Sequence, residues 1–313
     1  MVRKLLGGIL AITLIGAAAL GLISWQTAQS NAAASLALTQ SADQFVEVDG
    51  LTVRVRDEGP RDAPVLIMLH GFTFSLESFD QLTEDLQADY RIIRYDLRGH
   101  GLTGPDPQKR YAPEQRAAHI GAVMDQLGIQ RATLVGNSLG GLASWRFAAD
   151  NPERLEKLIL ISPGAYPING VTEEPAPVPP ALEAYFRFLP ESGIDMSIDR
   201  IFADANAIGD ERKASIKAMM RAPGNGQAFI DALKVFTLPD PEPDLARVVS
   251  PTLIIWGDAD VVISPKDGEK MRSAMPDAEL LLLPSIGHVA HEEAPQRVAD
   301  AIREFLDGER DES

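Results

Sequence analysis

The sequence contains no cysteine among its 313 residues. This absence excludes disulfide bonds, thiolate metal sites, a catalytic cysteine and lipid attachment to an N-terminal cysteine. Basic residues are few, with 29 Lys and Arg against 45 Asp and Glu, and the resulting net charge of −16 argues against nucleic acid as a partner. The sequence also lacks zinc-protease, EF-hand, phosphate-loop and dinucleotide motifs, so it implies neither a metal nor an organic cofactor.

Long hydrophobic runs are absent except at the N-terminus, where Leu5 to Ile23 carry no charge and follow Arg3 and Lys4. A helix needs ~20 apolar residues to cross a bilayer, so this run is long enough to be an uncleaved anchor. The alanines at 32–34 fit the small-residue pattern of a cleavage site, so a cleaved signal peptide remains the alternative.

We therefore assign residues 1–24 to an anchor or signal segment and residues 25–44 to a polar linker. Basic residues before the apolar run place the N-terminus inside the cell. Either alternative predicts that the folded domain faces the periplasm, anchored to the inner membrane or exported.

The folded part of the chain is predicted to begin near Phe45, where residues 45–48 and 51–55 alternate like two half-exposed strands. Further along, short apolar runs are typical of strands that helices cover on both faces. These runs lie at 65–69, 92–95, 133–135, 158–161, 252–256 and 280–283. Helix-like stretches separate the runs, which predicts an α/β fold with a mostly parallel central sheet sandwiched by helices.

The alternation of strands and helices stops between residues 165 and 249. A proline-rich stretch at 174–180 opens this region, short helical patterns follow, and a second proline cluster at 239–243 closes it. We predict a helical cap inserted at 165–249 into a core formed by residues 45–164 and 250–308.

The segment Gly-Asn-Ser-Leu-Gly-Gly at 136–141 fits the G-x-S-x-G nucleophile elbow. In this motif a serine, here Ser138, sits on a strained turn between a strand and a helix. Gly136 and Gly140 suit the close approach of the two backbone arms. Ser138 is thus the candidate nucleophile.

A serine nucleophile needs a base, and the sequence offers two histidines after Ser138. His288 follows the strand run 280–283, at the end of a parallel strand where open α/β sheets bind ligands. His291 is the alternative and is predicted to begin the next helix. We favour His288.

The orienting acid is expected at the end of the preceding strand, where Asp258 and Asp260 follow Gly257. Either carboxylate could hold His288 in one tautomer and stabilise its charged form. We favour Asp260 and expect Asp258 to form the turn or cap a helix.

An oxyanion hole requires backbone donors near the nucleophile. The residue after the nucleophile, Leu139, supplies one N–H. Phe72, in the loop after the strand run 65–69, is the candidate for the second, and Gly71 permits a close substrate approach. We expect His70 and the segment Asp-Leu-Arg-Gly-His-Gly at 96–101 to have structural roles, because turn chemistry explains these residue types.

These motifs stand in the order and spacing of the α/β-hydrolase superfamily, which the chain resembles over nearly all of its length beyond the N-terminal run. The motifs are His-Gly-Phe at 70–72, the segments 96–101 and 136–141, Gly-Asp-Ala-Asp at 257–260 and Gly-His at 287–288. The resemblance implies that Ser138 is the nucleophile, Asp260 the acid and His288 the base. It also implies oxyanion donors at Phe72 and Leu139.

Related dehalogenases and epoxide hydrolases carry aspartate at the elbow, so Ser138 favours acyl transfer. We predict a serine hydrolase of carboxylic esters whose partner is a small-molecule acyl substrate. The Gly-Asn-Ser start of the elbow also resembles carbon–carbon hydrolases of aromatic ring-fission products, although Val289 stands where those enzymes commonly have tryptophan. A non-catalytic binding protein is the third hypothesis, and it fits poorly with an intact set of catalytic residues. The sequence does not indicate an oligomeric state.

Overall fold

The computed structural model describes residues 34–204, 206 and 208–308. The chain divides into two units, Met1–Thr39 and Gln40–Ser313. In the first unit, residues 34–38 form a helical turn. All remaining elements belong to the second unit.

Eight strands form one sheet in the order β1-β2-β4-β3-β5-β6-β7-β8. The strands are β1 Gln44–Val48, β2 Leu51–Glu58, β3 Val65–Leu69, β4 Arg91–Tyr95, β5 Ala132–Asn137, β6 Leu155–Ile161, β7 Thr252–Gly257 and β8 Ala278–Leu283. β2 pairs antiparallel with β1 and β4, and every other pairing is parallel. The carboxyl ends of β3 and β5 to β8 consequently meet at one edge of the sheet, which is where parallel sheets place their functional loops.

Helices cover both faces of this sheet. The α-helices described are α1 Asp80–Leu86, α2 Pro113–Gln126, α3 Leu139–Asp150, α4 Pro180–Phe188, α5 Glu191–Ile201, α6 Asp210–Met220, α7 Asn225–Leu233, α8 Glu242–Leu245, α9 Lys266–Ala274, α10 Ala290–Glu293 and α11 Pro295–Asp307, of which α4 to α7 are not part of the two covering layers. In β3, Ile67 and Leu69 belong to one buried cluster, whereas Leu66 and Met68 belong to another. Because neighbouring side chains of a strand point to opposite faces, the sheet is buried on both sides, which explains its unbroken apolar runs.

Five helices, α4 to α8, lie between β6 and β7 and are called the inserted helices below. A third buried cluster joins their side chains, including Phe186 and Phe229, to Phe74 and Val289 of the sheet loops. The predicted mostly parallel sheet with flanking and inserted helices is therefore confirmed. The domain boundaries at 164/165 and 249/250 stay a prediction.

The prediction of a membrane anchor is contradicted. Within the described residues, no helix has the length and apolar character needed to cross a bilayer. The longest of the described helices, α2, has 14 residues, against the ~20 that a span requires. The segment from Leu5 to Ile23, on which the prediction rested, lies outside the described residues. The transmembrane or signal assignment, and the inner-membrane or periplasmic location drawn from it, are withdrawn.

Candidate active site

Ser138 occupies the sharp turn between β5 and α3, with φ of 51° and ψ of −112°. A non-glycine residue in this region carries strain of about 1–3 kcal/mol, which the surrounding structure must offset. The Ser138 N–H donates to the Ile161 carbonyl at 3.1 Å, and its own carbonyl accepts from Leu142 and Gly164 at 2.9 and 3.0 Å. These three bonds hold the partly exposed serine in place.

Glycines flank the turn because there is no room for side chains. A Cβ on Gly136 would lie 2.5 Å from Ser144 Oγ, and one on Gly140 would collide with the Leu69 carbonyl. Real Cβ atoms essentially never make contacts this short. The two flanking glycines therefore let β3, β5 and α3 converge at Ser138.

His288 lies in the loop after β8, and Asp260 lies in the loop after β7. His288 Nδ1 is 2.8 Å from Asp260 Oδ2. Because an ionised carboxylate only accepts hydrogen bonds, Nδ1 is the donor, and Nε2 is left with its lone pair. The buried Asp260 carboxylate also accepts the N–H groups of Val262 at 2.7 Å and Ile263 at 3.0 Å. The indole N–H of Trp256 donates to it at 3.2 Å, so the acid is fixed from several sides.

The two alternative residues take other positions. Asp258 is exposed, and its carboxylate accepts the Ser285 N–H at 2.6 Å. His291 is buried, stacks on Phe79 with ring centroids 4.4 Å apart, and has its Nε2 2.8 Å from Ser78 Oγ. Burial lowers the pKa of His291 to about 3, so it is neutral at physiological pH. The structure thus brings Asp260, and not Asp258, to His288.

Two side chains that sequence reasoning missed support the His288 loop. Asn137 Nδ2 donates to the His288 carbonyl at 3.1 Å, and Glu293 accepts the Gly287 N–H at 2.9 Å. The His288 N–H donates at 2.9 Å to the carbonyl of Ile201, at the end of inserted helix α5. The candidate base is therefore held by both the sheet loops and the inserted helices. Asn137 next to the elbow and Glu293 soon after His288 were visible in the sequence, but their partners were not.

The predicted oxyanion donors belong to two chain segments next to Ser138, the start of α3 and the loop after β3. Leu139 is the first residue of α3, so its N–H has no partner inside the helix. The Phe72 N–H also donates no hydrogen bond to any described residue. Gly71 brings this loop close, because a Cβ on it would lie 3.2 Å from Ser138 Cβ. Both N–H groups remain available for a ligand.

A buried ionic cluster fixes the chain that follows Phe72. Arg54 contacts Glu77 at 2.5 Å and Asp96 at 3.3 Å, and Asp96 also accepts the Leu76 N–H at 2.8 Å. Burial disfavours the charged form of Glu77, but Arg54 outweighs this effect and lowers the pKa of Glu77 to about 2. Asp96 is thus part of a structural cluster, consistent with the role expected of its segment.

His70 and His100 are also buried beside the site. His70 Nε2 accepts the Leu97 N–H at 3.0 Å, and His100 Nδ1 donates to the Arg98 carbonyl at 3.1 Å. Burial lowers the pKa of His70 to about 4, so its ring is a neutral acceptor. These bonds tie the loops after β3 and β4 together, as expected for structural residues.

Two cavities meet at Ser138. The first has a volume of about 230 Å³, is lined mainly by apolar side chains such as Leu142 and Phe236, and includes Arg116; we call it the Arg116 cavity. The second has about 270 Å³ and includes His288; we call it the His288 cavity. Phe72 lines both. A ligand bound across Ser138 would have one part in each cavity.

In the part of the chain that the structure describes, no group of three or more acidic or histidine side chains could hold a metal ion. The candidate site combines a strained serine, a histidine that a carboxylate orients and two backbone N–H donors without a partner among the described residues. This combination suits nucleophilic attack on a carbonyl.

The model of the alpha/beta hydrolase family matches residues 66–301 of the chain. The match spans well over half of the sequence, so the chain belongs to the alpha/beta hydrolase family. The resemblance predicted from the motifs is confirmed, and the protein is a hydrolase.

Individual relatives differ in their reactions. The chain is 29% identical over 268 residues to a 2-hydroxy-6-oxononadienedioate/2-hydroxy-6-oxononatrienedioate hydrolase of Pseudomonas sp., covering 83% of this chain and 93% of that protein. Among solved structures, a bacterial membrane phospholipase A superimposes with a TM-score of 0.73 at 25% identity, covering 99% of each chain. A thermophilic esterase from Thermogutta terrifontis superimposes with a TM-score of 0.69 at 26% identity, covering 85% of this chain and 98% of that one.

Proposed function

We propose that the protein hydrolyses carboxylic esters of small molecules through an acyl-enzyme on Ser138. The observation that carries this proposal is the contact of His288 Nδ1 with Asp260 Oδ2 at 2.8 Å, beside a strained serine that borders two cavities. The likeness to an esterase and to a phospholipase A supports ester substrates.

In the first step, Ser138 Oγ attacks the ester carbonyl while His288 Nε2 takes its proton. Asp260 stabilises the imidazolium without accepting that proton. The N–H groups of Phe72 and Leu139 stabilise the negative oxygen of the tetrahedral intermediate, an effect worth about 10²–10³ in kcat for each donor.

The position of His288 supports a different role for each of the two cavities. The protonated base must reach the departing alcohol oxygen, and His288 lines only one of the two cavities. The alcohol portion of the ester accordingly belongs in the His288 cavity, and the acyl portion belongs in the apolar Arg116 cavity. Water then enters from the side of His288, gives up a proton to it and releases the acid.

The test uses the purified full chain with p-nitrophenyl acetate and butyrate. We expect release of p-nitrophenol, and Ser138→Ala should lower kcat by at least about 10³-fold. Hydrolysis by Ser138→Ala at the parent rate would exclude Ser138 as the nucleophile. Absence of covalent labelling by a fluorophosphonate probe would favour a non-catalytic binding protein.

Carbon–carbon hydrolysis of ring-fission products is the second candidate, and the relative from Pseudomonas sp. supports it. Val289, buried after His288, is the residue that distinguishes this chain from the pattern of those enzymes. The second candidate predicts a Ser138-dependent loss of absorbance from a vinylogous diketone acid, with little hydrolysis of p-nitrophenyl esters.

A further inference from the structure

Arg116 reaches from α2 to the wall of the Arg116 cavity, which also contains Ser138. Its side chain is buried and donates to two backbone carbonyls, from Nε to Tyr111 at 3.0 Å and from Nη1 to Arg98 at 2.9 Å. Its Nη2 is buried without a hydrogen-bond partner among the described residues. Unpartnered buried donors are rare in native proteins and require an explanation.

The charge of Arg116 is also uncompensated. Six arginines are buried in the described part of the chain: Arg54, Arg56, Arg94, Arg98, Arg116 and Arg146. The other five each form an ion pair with a carboxylate. Arg116 forms none with any described residue, although its guanidinium lies 5.6 Å from the centre of the Tyr111 ring.

The guanidinium nevertheless stays charged. Burial lowers the pKa of Arg116 to about 10, which is still well above neutral pH. A buried cation without a counter-ion is unfavourable, and buried charges are normally paired. In the free protein, the wall of the cavity assigned to the acyl group therefore carries a buried positive charge that no described carboxylate neutralises.

We propose that Arg116 binds a carboxylate at the far end of the acyl group, so that the substrates are half-esters of short dicarboxylic acids. This inference rests on the proposed ester hydrolysis and deepens it. A guanidinium matches a carboxylate geometrically, because two parallel N–H donors can meet its two oxygens. The carboxylate would supply the counter-ion and occupy the free Nη2 donor.

The cavity limits the length of such an acyl group. Ser138 and Arg116 border the same space of about 230 Å³, whereas a dry cavity of about 150 Å³ can hold benzene. A chain of a few methylene groups between the two carboxyl carbons therefore fits, and the apolar walls suit it.

The reaction balances without another reactant. Ser138 Oγ bonds to the ester carbonyl carbon, and the alcohol departs with the proton that His288 carried. Water then cleaves the acyl-serine bond and restores the serine proton through His288. The products are the alcohol and the dicarboxylic acid, whose distal carboxylate takes no part in bond making.

The experiment compares the 4-nitrophenyl half-ester of hexanedioic acid with the same compound whose free acid is methylated. We expect the parent to show at least a tenfold higher kcat/KM for the charged ester. In Arg116→Gln the ratio of kcat/KM for the charged ester to kcat/KM for the methylated ester should fall to about one, because only the value for the charged ester decreases. Arg116→Lys should retain part of the preference, and Arg187→Gln, which removes an exposed arginine of inserted helix α4 outside both cavities, should leave it unchanged.

A binding measurement that needs no turnover completes the test. Hexanedioate should raise the Tm of the parent more than hexanoate does, and this difference should vanish in Arg116→Gln. Equal kcat/KM values for both esters in the parent, or equal losses on both in Arg116→Gln, would overturn the proposal. If neither ester is hydrolysed in a Ser138-dependent manner, the ester-hydrolase proposal fails, and the binding difference alone decides the role of Arg116.

Discussion

Arg212 of inserted helix α6 forms a bidentate ion pair with Glu292, with Nε 2.7 Å from Oε2 and Nη2 2.9 Å from Oε1. Glu292 also accepts the hydroxyl of Ser78 at 2.6 Å. The Arg212 guanidinium lies 5.7 Å from the centre of the Phe74 ring. This pair therefore joins an inserted helix to α10, the short helix that begins two residues after His288.

Removing one partner of this pair should be costly. Glu292→Ala leaves Arg212 largely buried without a counter-ion, and we expect a loss of about 3 kcal/mol in the free energy of unfolding, measured with urea. Asp300→Asn, which breaks the exposed pair with Arg303, is the control and should cost less than about 0.5 kcal/mol. Equal losses in the two variants would contradict a structural role for the Arg212 pair.

Asp260 and Asp258 can be separated by activity. Asp260→Asn should lower kcat for p-nitrophenyl butyrate by about 10³–10⁴-fold, because an amide favours the wrong tautomer of His288. Asp258→Asn should lower kcat less than about tenfold, because the Asp258 carboxylate bonds only the Ser285 N–H in the described structure. The reverse order of effects would assign the acid to Asp258.

The glycines of the elbow should tolerate no side chain. A Cβ on Gly140 would collide with the backbone carbonyl of Leu69, which cannot move without displacing β3. Gly140→Ala should therefore lower the free energy of unfolding by about 3 kcal/mol or more. Gly209→Ala is the matched control, because its Cβ meets no described atom within 4 Å and its φ of −67° suits alanine. It should change stability by less than about 0.5 kcal/mol.

Acid should destabilise the fold through His291. Burial is the largest cause that lowers the pKa of His291 from 6.5 to about 3, and the charge of Arg212 is the second. Between these two pH values the folded state therefore binds fewer protons than the unfolded chain. The stability contributed by neutral His291 is then complete above about pH 6.5 and is lost as the pH falls towards about 3. One proton taken up on unfolding lowers the free energy of unfolding by up to about 1.4 kcal/mol for each pH unit of acidification.

The measurement is urea unfolding of the parent and of His291→Asn at several values between about pH 7 and about pH 5. The free energy of unfolding of the parent should fall more steeply with acid than that of the variant. Equal slopes in the parent and the variant would show that protonation of His291 does not contribute to the loss of stability.

The sequence predicted the sheet well, because strands buried on both faces leave uninterrupted apolar runs such as 65–69 and 252–256. For the candidate acid it favoured Asp260 but kept Asp258 as an alternative, because both follow the same turn. In the structure, the N–H groups of Val262 and Ile263 donate to Asp260 and not to Asp258. The direction of these N–H groups depends on how the loop folds. The membrane prediction rested on the apolar run and the basic residues before it, and it was wrong.

Long-range contacts explain what sequence reasoning missed. Arg116 stands in an ordinary amphipathic pattern, and only the fold reveals that no described carboxylate reaches it. In the same way, the bond from His288 to the Ile201 carbonyl joins residues that are far apart in the chain. Neither feature has a local sequence signal.

The strand order has a consequence for how activity arises during folding. The loops that form the candidate site follow β3, β5, β7 and β8, and β8 is an edge strand that pairs only with β7. An N-terminal fragment that ends before His288 therefore lacks at least one of these groups. Such distant contacts form slowly, because long loops must close first. The rate at which hydrolytic activity returns during refolding would thus report the pairing of β8 with β7, rather than the collapse of the core.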